Sequence, residues 1–240
     1  MWVVMIFHVP HASLDIPATA LNSYQVSPDR LAEITRYLSD LKTDELFDLG
    51  LGEQIIRFPW ARTYLDVERF LENEPMERFG MGAFYTRTPG GGTFRKISDS
   101  ERAHLESLYW EHQNRVSEAC HTELTRTGRF LLIDCHSFPL EPFPWENPDL
   151  ARPEFCLAHN DDELGCRIVE QMGGQLSSLD FSIALNEPFS GSLVPCDLLD
   201  QVGDPRWTSV MIEVRRDLVE ERFDTTKGAL RQILAAGCLG

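Results

Sequence analysis

Gly128-Arg129-Phe130-Leu131-Leu132-Ile133-Asp134-Cys135-His136-Ser137 carries the chain from a helix stop into an apolar run and out again into polar residues. Upstream, Ser98 with Glu101 three positions later is a capping-box start, which predicts a helix over Asp99 to Thr127 with Gly128 as its left-handed stop. Phe130 to Asp134 then reads as a short, uninterrupted apolar strand, the pattern of a strand covered on both faces. A long helix delivered straight into a buried strand predicts an α/β fold with a mostly parallel sheet.

The same alternation extends outward in both directions. Apolar runs at Val3 to Val9, Ile55 to Phe58, Thr63 to Val67, Phe155 to Ala158, Phe181 to Leu185 and Ser209 to Val214 are the remaining predicted strands. Ser27-Pro28-Asp29 opens a first helix whose apolar face is Leu31, Ile34 and Leu38, and Thr43 caps a short second one. Asn160-Asp161-Asp162 precedes a helix predicted to stop near Gly173-Gly174, and Thr225 to Ala236 forms the last. At 240 residues this predicts one domain, residues 1–240, a central mixed, mostly parallel sheet flanked by helices. Thr88-Pro89-Gly90-Gly91-Gly92 lacks the preceding strand, the following helix and the lysine of a phosphate-binding loop, so it reads as a surface loop.

Composition narrows the function. A formal net charge of −16 repels phosphate backbones and anionic headgroups, which argues against nucleic-acid and membrane partners and requires local arginines to hold any anionic substrate. The apolar run Trp2 to Phe7 lacks a basic leader and a small-residue cleavage site, and reads as a buried strand. Six cysteines without a CxxC pair read as reduced thiols, and the expected compartment is the cytoplasm.

In open α/β sheets ligands bind beyond the carboxyl ends of the strands. Four such ends carry chemistry: His8-Val9-Pro10-His11, Asp66-Val67-Glu68-Arg69, Asp134-Cys135-His136-Ser137 and Glu213-Val214-Arg215-Arg216. Two neutral imidazoles plus a carboxylate are the donor set of a hydrolytic zinc site that leaves a position open for water. His11 and His136 are the candidate imidazoles, against the alternative of two separate loop histidines bound to backbone partners. Asp134, two residues before His136 and on the same side of a strand, is placed to orient it.

The order of these pieces resembles the N-formylglutamate amidohydrolase family over nearly the whole chain. The likeness is carried by Val9-Pro10-His11-Ala12, Ser39-Asp40 with Leu46-Phe47, Arg62-Thr63-Tyr64-Leu65-Asp66-Val67-Glu68-Arg69, Leu131 to Ser137, Asn186 to Gly191, and Ile212-Glu213-Val214. That family is similar in fold and metal site to zinc carboxypeptidases and aspartoacylases. The resemblance implies a zinc hydrolase with one Zn2+ per chain that cleaves the amide of a small N-acyl amino acid, N-formyl-L-glutamate first among candidates.

Carried over residue by residue, the resemblance makes His11, His136 and Asp40 the metal ligands, with Asp44 and Glu45 close enough to compete for the third place. Glu213 occupies the position of the general base, its alternative being an ion pair with Arg215 or Arg216. Arg62 and Arg69 resemble the clamp for substrate carboxylates. Asn186 is a further ligand contact or simple turn chemistry, and His112, in Tyr109-Trp110-Glu111-His112, a further contact or helix-face packing. Phe58, Trp60 and Tyr64 fill core or line the pocket. The chain departs from the family at Glu68, where an asparagine is usual, which places an extra negative charge beside the clamp. That departure favours the nearest rival function, a carboxypeptidase-like peptidase or a deacylase of another amide. A binding module that kept the fold without the chemistry is a third reading, opposed by the joint presence of His11, His136 and Glu213.

Overall fold

In the computed structural model, which describes residues 4–235, the strands are β1 (Val4–Val9), β2 (Gln54–Arg57), β3 (Phe130–Phe138), β4 (Phe155–His159), β5 (Ile183–Leu185) and β6 (Trp207–Arg215). The helices are α1 (Pro28–Leu38), α2 (Thr43–Leu46), α3 (Asp99–Thr127), α4 (Glu163–Ser178), α5 (Arg216–Glu221) and α6 (Phe223–Ala235). The strands form one sheet in the order β2-β1-β3-β6-β4-β5. Every pairing is parallel except that of β4 with β6. The α/β, mixed and mostly parallel architecture expected from the sequence is therefore the one observed.

Side-chain alternation divides the sheet into two chemically different faces. Phe7, Val9, Leu131, Ile133, Cys135, Val210, Ile212 and Val214 join a large apolar core with α2, α4, α5 and α6. On the other face Ile6, Phe130, Leu132 and Trp207 pack against Val116, Ala119 and Cys120 of α3. That apolar packing holds only the amino-terminal halves of the strands. Continuing along the same face, the pattern turns polar: His8 follows Ile6, Asp134 and His136 follow Leu132, and Glu213 lies two residues before the end of β6.

The predicted helix over Asp99 to Thr127 has its expected ends, with Ser98 Oγ accepting from the Glu101 N–H and Gly128 at φ 78. Three expectations change. Thr63 to Val67 is a series of turns, with the Tyr64 and Leu65 N–H groups donating to the Ala61 carbonyl. Its apolar density reflects burial on all sides in a separate cluster with Phe58, Ala83, Phe84, Leu105 and Tyr109. The α4 helix runs through Gly173-Gly174 to Ser178, because Met172 and Leu176 bury against the sheet and outweigh the low helix propensity of glycine. The last helix begins at Phe223, and its predicted final residue Ala236 lies outside the described residues, as do Trp2, Val3 and Cys238. The Thr88 to Gly92 loop is a turn closed by the Thr88 N–H to Gly92 carbonyl bond. Among the described residues Cys120, Cys135, Cys156, Cys166 and Cys196 are free thiols, and no helix is long and apolar enough to cross a membrane.

Candidate active site

The polar end of the α3 face opens into a cavity of about 680 Å³ lined by His11, Asp40, Arg62, Glu68, Arg69, Asp134, His136 and Glu213, among others. Parallel pairing sets the spacing from below: His8 lies opposite Asp134, and His136 opposite Glu213. His11 follows the end of β1, and the Asp40 N–H donates to its carbonyl at 2.9 Å, which ties the α1 to α2 turn to the site.

Asp66 is the anchor of the His11 side chain. Its Oδ1 accepts from His11 Nε2 at 2.9 Å, while Oδ2 accepts from Arg62 Nη2 at 2.9 Å and from the Tyr85 hydroxyl at 2.8 Å. Burial opposes ionisation of Asp66, but His11 and Arg62 hold its carboxyl well below the usual range. The other ring nitrogen, His11 Nδ1, is buried and has no hydrogen-bond partner. It faces Asp40 Oδ2 and Glu68 Oε2, each at 3.6 Å.

His136 is held from both sides. Its Nδ1 lies 3.0 Å from Asp40 Oδ2, and its Nε2 lies 3.2 Å from the Glu68 carboxylate and from Asp134 Oδ1. Burial alone would lower its pKa, yet the Glu68 and Asp134 charges raise it well above the usual value. Asp40 is buried as well and is held below the carboxylate range by His11 and His136. Asp44 and Glu45 do not line the cavity; the acid against both histidines at this turn is Asp40, which also accepts from Arg216 Nη2 at 3.3 Å.

Glu213 is buried, with Oε2 unpartnered. Arg215 is engaged by Asp217 and Arg216 by Asp40 and the Tyr37 carbonyl, so neither of the arginines considered for Glu213 pairs with it. Burial, reinforced by the charges of Asp40 and Glu68, pushes Glu213 up to about 8. Arg62 is committed to Asp66, Tyr85 and the Leu38 carbonyl. Arg69 sits at the cavity wall with its Nε unpartnered and its nearest carboxylates, Asp66 and Glu74, at 3.9 and 3.8 Å.

Two further candidates stand apart from the cavity. Asn186, at φ 54, accepts from the His159 N–H through Oδ1, and residues 188–194 of its loop line the cavity in its place. His112 lies behind the site, its Nε2 at 2.8 Å from His8 Nε2. His8, which heads the His8-Val9-Pro10-His11 end without being a candidate ligand there, lies on the α3 face by its two-residue spacing from buried Ile6. It is fully buried, 3.0 Å from Asp134 Oδ1 and 3.3 Å from Glu68 Oε1. Burial opposes its charge, but those two carboxylates push it up to about 9, while burial and His8 push His112 down to about 2. Tyr85 carries no sequence signal of its role, since it sits in an irregular segment with no periodicity.

The residues fit a metal. One imidazole leaves a buried nitrogen free while a carboxylate fixes its other nitrogen, the arrangement usual for metal-bound histidine. The Asp40 oxygen lies 3.0 Å from His136 Nδ1 and 3.6 Å from His11 Nδ1, and the ligand-to-ligand edge of a tetrahedral zinc site with bonds near 2.1 Å is about 3.4 Å. His11, Glu68 and His136 also bring donor atoms within 4.8 Å of one another.

The family model for N-formylglutamate amidohydrolase matches residues 3–220. The chain belongs to the N-formylglutamate amidohydrolase family. No curated protein matches this family member. Among solved structures, the N-formylglutamate amidohydrolase of Ralstonia eutropha is similar with a TM-score of 0.82 at 22% identity, over 99% of this chain and 93% of that one. A gene product of Agrobacterium tumefaciens is similar with a TM-score of 0.69 at 21% identity, over 98% and 89% of the two chains. At these identities the likeness establishes that this amidohydrolase shares their fold.

Proposed function

We propose that this amidohydrolase is a zinc-dependent enzyme that cleaves N-formyl-L-glutamate to formate and L-glutamate. The observation that carries the reading is the unpartnered His11 Nδ1 facing Asp40, with His136 on the other side of that carboxylate and the unpaired Glu213 on the adjacent strand. His11, His136 and Asp40 would hold the ion. When bound, zinc supplies Lewis acidity and makes water acidic enough to react at neutral pH.

The rest is the work of the chain's own side chains. Glu213 Oε2, free of hydrogen bonds and raised toward neutrality, accepts the proton of the attacking water and returns it to the departing amide nitrogen. Asp66 keeps His11 Nε2 engaged, which leaves Nδ1 as the nitrogen that would hold an ion. Arg69, whose guanidinium is not saturated by its neighbours, takes a substrate carboxylate, while Arg62 holds Asp66 in place.

A second reading has its own support. The cavity wall includes Met76, Met81, Phe143, Trp145 and Phe70, and Phe70 is 57% exposed, an apolar lining suited to the acyl chain or side chain of a larger N-acyl amino acid. Chelator-treated and zinc-reconstituted enzyme, assayed for amine release from N-formyl-L-glutamate, N-formylmethionine and longer N-acyl analogues, separates the readings. Highest kcat/KM for N-formyl-L-glutamate, only with zinc, is expected. Preference for the apolar substrates would reassign the enzyme to the second reading, and turnover without metal would remove zinc from it.

A further inference from the structure

Glu68 contacts His11, His136 and His8 at once. Oε2 lies 3.6 Å from His11 Nδ1 and both oxygens lie 3.2 Å from His136 Nε2, while Oε1 also lies 3.3 Å from His8 Nδ1, which is itself 3.0 Å from Asp134 Oδ1. His8, Glu68 and Asp134 bring one donor atom each within 4.8 Å of one another, a second triad that shares Glu68 with the first.

We propose that Glu68 bridges two divalent cations, the second held by His8 Nδ1, Asp134 Oδ1 and Glu68 Oε1 beside the zinc site proposed above, on which this inference rests. Each donor of the second set is oriented from behind. His8 Nε2 is taken up by His112 Nε2 at 2.8 Å, which leaves Nδ1 as the nitrogen turned toward the carboxylates. Asp134 Oδ2 accepts from the Leu193 N–H at 3.0 Å, which turns Oδ1 toward His8. Parallel pairing of β1 and β3 sets His8 and Asp134 side by side, so the two donors come from rigid strands. The second ion would be a first-row divalent metal, which mixed imidazole and carboxylate donors suit. A carboxylate bridge is consistent with the metal separation of about 3.5–4 Å in two-metal hydrolytic centres.

Charge supplies an independent argument. Asp40, Asp66, Glu68, Asp134 and Glu213 converge here against Arg62, Arg69 and Arg216. Two dications outweigh that excess of acid even with all five carboxylates ionised, which favours a dicarboxylate in a protein of net charge −16. On this reading the acid at position 68 assists substrate binding through the cation it holds.

The test is metal stoichiometry. Chelator-treated full-length protein is titrated with Zn2+, freed of unbound ion by gel filtration and analysed for zinc per chain, with circular dichroism as a folding check. The wild type is expected to retain two ions, and Glu68→Gln and His8→Asn one each. Because His8 is fully buried, the partly exposed Glu68 provides the more conservative variant. Loading with Mn2+ adds a second measurement: a spin-coupled pair in the wild type and an isolated ion in Glu68→Gln. A wild type saturating at one ion, or a Glu68→Gln protein retaining two, overturns the bridge while leaving the first site intact. A wild type that retains none overturns both.

Discussion

Glu213 and Arg69 bear the most direct tests of the proposed chemistry. Replacing Glu213 by Gln keeps side-chain volume and removes the proton acceptor, so kcat is expected to fall by about 10²–10⁴ with zinc content unchanged. Stopped assays and elemental analysis on the same preparation check this, and wild-type turnover in the variant would leave Glu213 without a catalytic role. Arg69→Met keeps much of the apolar stem and deletes the guanidinium fork. Loss of charge-assisted bonds to a substrate carboxylate is expected to cost about 1.5–3 kcal/mol, a ten- to hundredfold fall in kcat/KM for N-formyl-L-glutamate, and little for a neutral analogue. An equal fall for both substrates would locate the carboxylate contact elsewhere. Both residues were legible from their motifs. The finding that Arg62 is saturated by Asp66, Tyr85 and the Leu38 carbonyl was not, since those partners come from three different segments.

The turn between α2 and β2 shows how one carboxylate organises a connection. Glu53 accepts from the N–H groups of Leu49 at 2.6 Å, Gly50 at 2.9 Å and Leu51 at 2.5 Å, in a segment where Gly50 and Gly52 have positive φ. Partial burial pushes its pKa up, but the backbone donors outweigh this and lower it from the model-compound value of 4.5. A lowered folded-state pKa contributes stability above the unfolded value, lost as pH falls through the folded one. Glu53→Gln is therefore expected to be less stable than wild type at pH 7 by about 1 kcal/mol, with the gap shrinking below about pH 4. Urea denaturation at both pH values measures it, and a pH-independent gap would rule out the ionised carboxylate as its source. The same distinction between local pattern and context explains the turns at Thr63 to Val67: apolar density signals burial, and the absence of a sheet neighbour decides against a strand.

Across the whole molecule the proposed metal site would couple ion binding to stability. Its buried carboxylates are balanced in the ion-free state by the raised pKa values of His8 and His136. A bound ion would take over that balance and bind the folded chain alone. At a thousandfold excess over Kd, such a ligand stabilises by about 4 kcal/mol. For a chain of this length that corresponds to a rise in Tm of about 8–16 °C on adding zinc to chelator-treated protein. Differential scanning calorimetry checks it, and an unchanged Tm would contradict a buried zinc site.

Much of this protein is written locally. The Ser98 cap, the Gly128 stop and the apolar run from Phe130 announce α/β layering because each depends on neighbours in the chain, and the ordered motifs from His11 to Glu213 announce the family. Other features depend on register and packing across long separations. Asp40 faces His11 and His136 while Asp44 and Glu45 do not, because the Asp40 N–H is bonded to the His11 carbonyl and turns the segment inward. His8 becomes part of the site through parallel pairing with Asp134, 126 residues away, and Glu68 reaches three histidines from a loop with no regular period. No local pattern encodes such contacts: they exist only once β1 and β3 are paired and the Asp66 to Arg69 turn is packed over their ends.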